Sequence, residues 1–221
     1  MPDREAQRRA AHKLLDESMR LGRAALCREE GLIEEAFELY FDLATEGNKA
    51  AQADLAMLPA DSAPMAVALG DAYLLGDKGL SQHYGAARRW FQVAAKAGDP
   101  SAMAKFGCML DLGLGGEADL AESFRWLQEA ACRGEQGGHY GLAVLHGDGR
   151  GVPRNPSQAL VHLLVAGIDD DVLKKNFERL QAELTEAQIV EVNMAAEGWR
   201  AQARALKRQS KVDGNRHGTG Q

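Results

Sequence analysis

Apolar positions along this chain recur at helical spacing, and the whole set returns about every 36 residues. Leu69-Gly70, Tyr73 and Gly76 are followed by Ala86, Trp90-Phe91, Ala94-Ala95 and Gly98. Phe106-Gly107, Leu110 and Gly113 are followed by Phe124, Trp126-Leu127, Ala130-Ala131 and Gly134. Tyr140-Gly141, Val144 and Gly147 are followed by Ala159, His162-Leu163 and Ala166. Trp90, Trp126 and His162 therefore stand at equal intervals. Each period predicts two helices: helix A carries the paired large residue and glycine, and helix B carries the ring and the alanines. Self-similarity of this length marks a stacked array in which no single unit buries its own apolar face.

The flanking sequence predicts further helices. Residues 3–29 form one amphipathic segment with Ala10, Leu14, Met19, Leu21, Ala25 and Leu26 on or near one stripe, stopped by Gly31. Residues 33–45 follow with Ala36, Phe37, Tyr40, Leu43 and Ala44 on a face and Gly47 as the C-terminal cap. A helix over 48–58 ends at Pro59, and the turn from Pro59 to Pro64 interrupts the repeat. Helix starts are marked by Asp99 before Pro100, Asp119 with Glu122 three residues on, and Asn155 before Pro156. Gly76, Gly113 and Gly147 occupy one place in the three copies and are expected to solve the same turn. Closing helices are predicted over 169–183 and 185–207, the second opened by a Thr185–Gln188 capping box, and residues from Gln209 onward are expected to be disordered. The organisation that follows is 1–47, 48–168, 169–208 and a basic tail over 209–221.

The string from Gly141 through Val144, Gly147-Asp148-Gly149-Arg150-Gly151-Val152 and Asn155 to Ala159 resembles the Sel1-like repeat, a relative of the tetratricopeptide repeat with a longer glycine-rich turn. Residues 66–98 and 102–134 resemble two further copies, and about 19–47 is closer to a plain tetratricopeptide unit. The resemblance implies an all-α fold: a right-handed α/α superhelix of helical hairpins with C-terminal capping helices, whose helix-A face forms a concave groove for a peptide or protein. The chain departs from the pattern at Glu117-Ala118-Asp119, where the turn usually ends in Gly-Val, and at 58–64. Positions one and four after each helix-A glycine are expected to point into the groove. These are Asp71 and Leu74, Cys108 and Asp111, and Leu142 and Leu145, with His146 beside them.

Composition agrees with an all-helical chain: Leu and Ala dominate, six residues are proline, and no alternating β-branched runs occur. The net charge of −6 is uneven. Six of the 26 basic residues but only one of the 32 acidic residues lie in 200–221, which leaves −11 on residues 1–199. An acidic body argues against nucleic-acid binding. Three cysteines without metal spacing point to neither a disulfide scaffold nor a zinc site, and Cys108 and Cys132 are expected as small core groups. The turn glycines follow a helix and fall short of a nucleotide fingerprint. His139, His146 and His162 lack acids at ligand spacing and are expected as core or groove residues, and the aromatic rings as core. No apolar stretch is long enough for a signal or a membrane span, so a cytoplasmic location is expected. The function implied is a non-enzymatic adaptor, without cofactor or metal, that binds a protein or peptide in the groove. The alternative is a dedicated inhibitor or chaperone of immunity type for one secreted or toxic partner. A homodimer through exposed Leu142 and Leu145 is a further expectation.

Overall fold

Several helix starts in the computed structural model carry the caps that local chemistry predicts. The structure describes residues 4–57, 63–77, 80–167 and 171–217. These contain α1 (Arg4–Glu29), α2 (Ile33–Thr45), α3 (Lys49–Met57), α4 (Ala63–Leu75), α5 (Tyr84–Lys96), α6 (Pro100–Leu112), α7 (Leu120–Cys132), α8 (Gln136–Asp148), α9 (Pro156–Ala166), α10 (Asp171–Gln181) and α11 (Glu186–His217), with no strand among the described residues. Asp99 accepts from the Ala102 N–H at 2.8 Å, Asp119 from Glu122 at 2.9 Å, and Asn155 from Gln158 at 3.1 Å. Each of these caps satisfies a backbone donor that the first helical turn leaves unpaired. Gln188 and Thr185 close a reciprocal capping box in front of α11. The expected turn around Pro59 lies outside the described residues.

The chain forms two compact units, Met1–Val93 and Ala94–Gln221, divided within α5. In the first, α1 packs on α2 and α2 on α3. Ala24, Ala36, Tyr40, Leu43, Ala44, Ala51 and Leu55 are buried. The predicted stripe of α1 does not face inward. Ala24 is fully buried, Leu21 and Ala25 are half-buried, and Leu14, Met19 and Leu26 are exposed. Small Ala24 permits close approach to α2. Half-buried Arg20 bonds Glu46 at 2.8 Å just past the end of α2, so polar groups frame that contact. The side chain of Ala10 lies outside the described residues. Further along, a Cβ on Gly70 of α4 would stand 2.5 Å from the Phe91 ring of α5, so this helix pair closes only because position 70 has no side chain.

In the second unit α6 pairs with α7, α7 with α8, α8 with α9, and α6 also touches α8. Leu127 of α7 is the wedge between them. A Cβ on Gly107 of α6 would lie 2.8 Å from Leu127, and one on Gly141 of α8 would fall inside the same side chain. At Gly138 the neighbour is backbone: a Cβ there would stand 2.6 Å from the Ala131 amide nitrogen. The last helices cover α9 through a core of Ala143, Ala159, Leu160, Val161, Leu163, Leu180, Val192 and Ala196, with Leu173, Phe177, Leu184 and Trp199 packed against it. α11 continues past the predicted Lys207 to His217. The run from Lys207 to Val212 holds no proline or glycine to stop it. Of the tail expected to be disordered, 209–217 extend this helix and 218–221 lie outside the described residues.

One turn differs from the expected repeat register. Gly76 and Gly113 leave their helices with φ of 66° and 65°, but Gly147 is buried inside α8, and Gly149 takes the left-handed position at 71°. Helix A of the third copy is thus two residues longer beyond its glycine. The extension is held by Arg154, whose Nε donates to the Gly147 carbonyl at 2.9 Å.

The glycines divide by what surrounds them. Gly138→Ala is expected to destabilise the protein by about 1–3 kcal/mol, because backbone cannot yield to the new methyl. Gly198→Ala, in α11 with open space around it, is expected to stabilise by about 0.5–1 kcal/mol through helix propensity. Denaturant titration of the two variants beside the parent chain checks both signs.

Candidate functional site

The helix-A positions expected to line a groove do not share one environment. Asp71 and Leu74 of α4 are half-buried, and the Leu74 carbonyl accepts from Gln82. Cys108 is half-buried and packs on the cluster of Leu127, Ala131, Leu142 and Leu145. Leu142 and Leu145 are core residues, 2% and 0% exposed, so neither a groove contact nor a dimer contact through them survives. The reason lies in which helix each glycine faces. Gly107 meets Leu127 of its own hairpin, whereas Gly141 meets the same Leu127 of the preceding hairpin. The positions after Gly141 are thereby turned into the stack. Asp111 is also buried. Arg150 Nη2 stands 3.0 Å from its Oδ1 and 2.9 Å from its backbone carbonyl, with the aligned hydrogen bond going to the carbonyl. The third turn is thus tied back to α6. Cys132, expected in the core, is exposed.

The chemically distinctive cluster of the second unit is built from rings. His162 occupies the position that Trp90 and Trp126 hold in the other copies. Its Nδ1 lies 2.9 Å from Nδ1 of buried His139, a contact in which one ring donates and the other accepts. His146 stacks on His162 at 6.0 Å between centroids. Phe124 meets His146 edge-on at 5.9 Å, and Trp199 from α11 meets His139 edge-on at 5.0 Å. The sequence marks these histidines but not their meeting, since His139 and His162 lie on helices whose relative rotation only packing fixes.

Burial holds all three rings neutral. It pushes His139 down to about 4 and His162 down to about 3, where the neighbouring rings oppose a second positive charge. Burial lowers His146 as well, against an opposing pull from the Pro153 carbonyl. Moving the proton of the Nδ1–Nδ1 bond between two neutral rings would leave an imidazolium beside an imidazolate, so the pair supplies neither a ready acid nor a ready base. The Cys108 thiol is pushed up to about 11 by burial, with Asp111 adding to the effect, so it carries little thiolate at neutral pH. Among the described residues no group of three or more His, Cys, Asp or Glu is arranged to hold a metal ion. No helix among them is long and apolar enough to cross a membrane.

Solvent-facing residues on helices A of this unit are others than those predicted. Leu112, the last residue of α6, is 59% exposed, and Tyr140 of α8 is 44% exposed. Half-buried Lys105, Cys108 and Val144 lie on the same two helices. Tyr140, Val144, Asp148, Asn176 and Arg179 border a shallow cleft of about 90 Å³ between α8 and α10. Leu112 was visible in the sequence as an apolar residue directly before a turn glycine. Tyr140 was hidden, because the repeat places buried Leu69 and Phe106 at its position.

A family model described as the Sel1 repeat matches residues 63–99, 100–135 and 137–167. Among curated proteins none matches the chain. Among solved structures the chain is similar to a protective antigen present in uropathogenic Escherichia coli strains that displays an SLR fold, with 22% identity and a TM-score of 0.58 over 89% of this chain and 48% of that one. It is also similar to a Sel1 repeat protein from Oxalobacter formigenes, with 23% identity and a TM-score of 0.44 over 48% of this chain and 80% of that one. The chain spans about half the length of the antigen it matches, and that likeness establishes the fold.

The neutral histidines make stability depend on acidity with a definite sign. Their folded pKa values lie below the value near 6.5 of an unfolded histidine, so the unfolded chain binds more protons as pH falls. The stabilisation is complete above pH 6.5 and is lost as pH falls, down to about 4 for His139 and about 3 for His162, at up to about 1.4 kcal/mol per pH unit for each histidine. Denaturant midpoints measured at intervals across that window should fall steeply for the parent chain. The fall should be shallower for a His139→Leu, His162→Leu double variant.

Proposed function

We propose that this chain, which belongs to the Sel1 repeat family, is an adaptor that holds a protein or peptide partner on the exposed side of its repeat helices. Sel1 repeats mediate protein–protein interaction. The observation that carries the reading to this chain is the pair of exposed apolar side chains, Leu112 and Tyr140, on the neighbouring helices α6 and α8. Tyrosines are enriched among the few residues that carry most of the binding energy at protein interfaces, and Leu112 adds apolar area beside Tyr140. Exposed Glu117, Asp119 and Asp148 lie near the ends of the same helices, and residues 1–199 carry a net charge of −11. An apolar segment flanked by basic residues is therefore the complementary partner, drawn in by the negative field and held by the apolar contacts. Chemistry at the ring cluster is disfavoured because His139 and His162 are neutral, bonded to each other and enclosed.

Asp111 is a poor probe of this surface, since its side chain is buried and its substitution would remove the carboxylate beside Arg150. Leu112→Glu combined with Tyr140→Glu leaves the core untouched. With the full chain as bait, the expected result is a protein retained in stoichiometric amount by the parent and weakened in the variant by about 2 kcal/mol or more. Far-ultraviolet circular dichroism should be unchanged between the two. Equal recovery of every retained protein by parent and variant would refute the assignment of this surface.

A further inference from the structure

The outward face of α1 is an apolar seam. Leu15, Met19 and Leu26 are 63%, 67% and 59% exposed, on the side of the helix opposite buried Ala24. With His12, Leu15, Met19, Gly22 and Leu26 the spacing alternates three and four residues, the a and d positions of a heptad pattern. Three large apolar side chains in a row on one solvent-facing helix surface call for a cover.

We propose that the cover is the α1 helix of a second copy of this chain, packed antiparallel about a two-fold axis. The charges beside the seam select this occupant and this direction. In an antiparallel pair each a position lies across from a d position. Leu15 then meets Leu26 of the second copy, and Met19 meets Gly22, where nothing stands within 4 Å of an added Cβ and a methionine has room. His12 meets Glu29 at the ends of the seam. On one flank Asp16 faces Arg23 of the second copy, and by symmetry Arg23 faces Asp16. On the other flank Ser18 faces Ala25, two small residues that let the backbones approach. Asp16 and Arg23 are both solvent-facing, and Asp16 makes a long 3.9 Å contact with Arg20 of its own helix. A parallel pair would instead set Arg23 against Ser18 and lose both ion pairs. The contact is isologous, so one patch serves both copies.

The seam is short, and a dimer dissociating in the range of about 10 µM fits its size. Sedimentation velocity of the full chain, spanning concentrations on both sides of that value, should show a reversible shift from monomer to dimer. Arg23→Glu and Asp16→Arg, each alone, set like charges against each other and should weaken the dimer at least about tenfold. The double variant Asp16→Arg, Arg23→Glu swaps the charges and should restore it to within about threefold of the parent. Both positions are exposed, so folding of each variant is checked by circular dichroism. A parent chain that stays monomeric throughout, single variants that dimerise like the parent, or a double variant that stays weak would each overturn the proposal. A parent monomer would assign the seam to a different partner.

Discussion

The second unit depends on the absence of side chains at three glycines. Leu127 enters the space left by Gly107 on one neighbouring helix and by Gly141 on the other, while Gly138 lets the α8 backbone approach α7 to near contact. Helices normally pack with their axes 8–10 Å apart, at a distance set by the side chains between them. Replacing a side chain with hydrogen at matching positions brings the axes nearer and fixes the rotation of each helix about its own axis. That rotation decides which residues become core. It sends Leu142 and Leu145 into the stack and leaves Tyr140 at the surface, although sequence periodicity alone ranks the leucines as the more accessible set.

The third copy shows how the array handles a missing ring. Trp90 and Trp126 give way to His162, a smaller and more polar group. The volume is made up by Trp199, which arrives from α11 and stands against both His139 and His162. Polarity is satisfied by pairing His162 with His139, since an unpaired buried nitrogen would cost about 1–3 kcal/mol. The substitution and the closing helix are therefore one arrangement. Trp199 thereby ties α11 to the last hairpin.

Features set by neighbours in sequence were legible beforehand, and features set by rotation of whole helices were not. Asp99, Asp119, Asn155 and Thr185 cap the helices they precede because a cap needs only a side-chain oxygen and a backbone amide two or three residues on. The wide spacing of Trp90 and Trp126 revealed the repeat. Gly147 misled, since a glycine can continue a helix as well as end one, and nothing local says that Gly149 would take the left-handed turn. The stripe on α1 was recognised, but its direction was not. Contact with α2 is made through small Ala24 together with half-buried Leu21 and Arg20, and such residues weigh little in an apolar pattern. For the candidate site, periodicity supplied the helices, and the exposed residues on them had to come from packing.

The covering of α9 has a consequence for how copies of this chain can join. Leu180, Val192 and Ala196 occupy the flank of the last hairpin where another repeat would otherwise dock. Stacked arrays lengthen into fibres when the trailing edge of one molecule accepts the leading edge of the next, and that head-to-tail growth requires two complementary open edges. Here the trailing edge is already filled from within the chain. The closing helices thus act as a stopper against filament formation as well as a lid on the core.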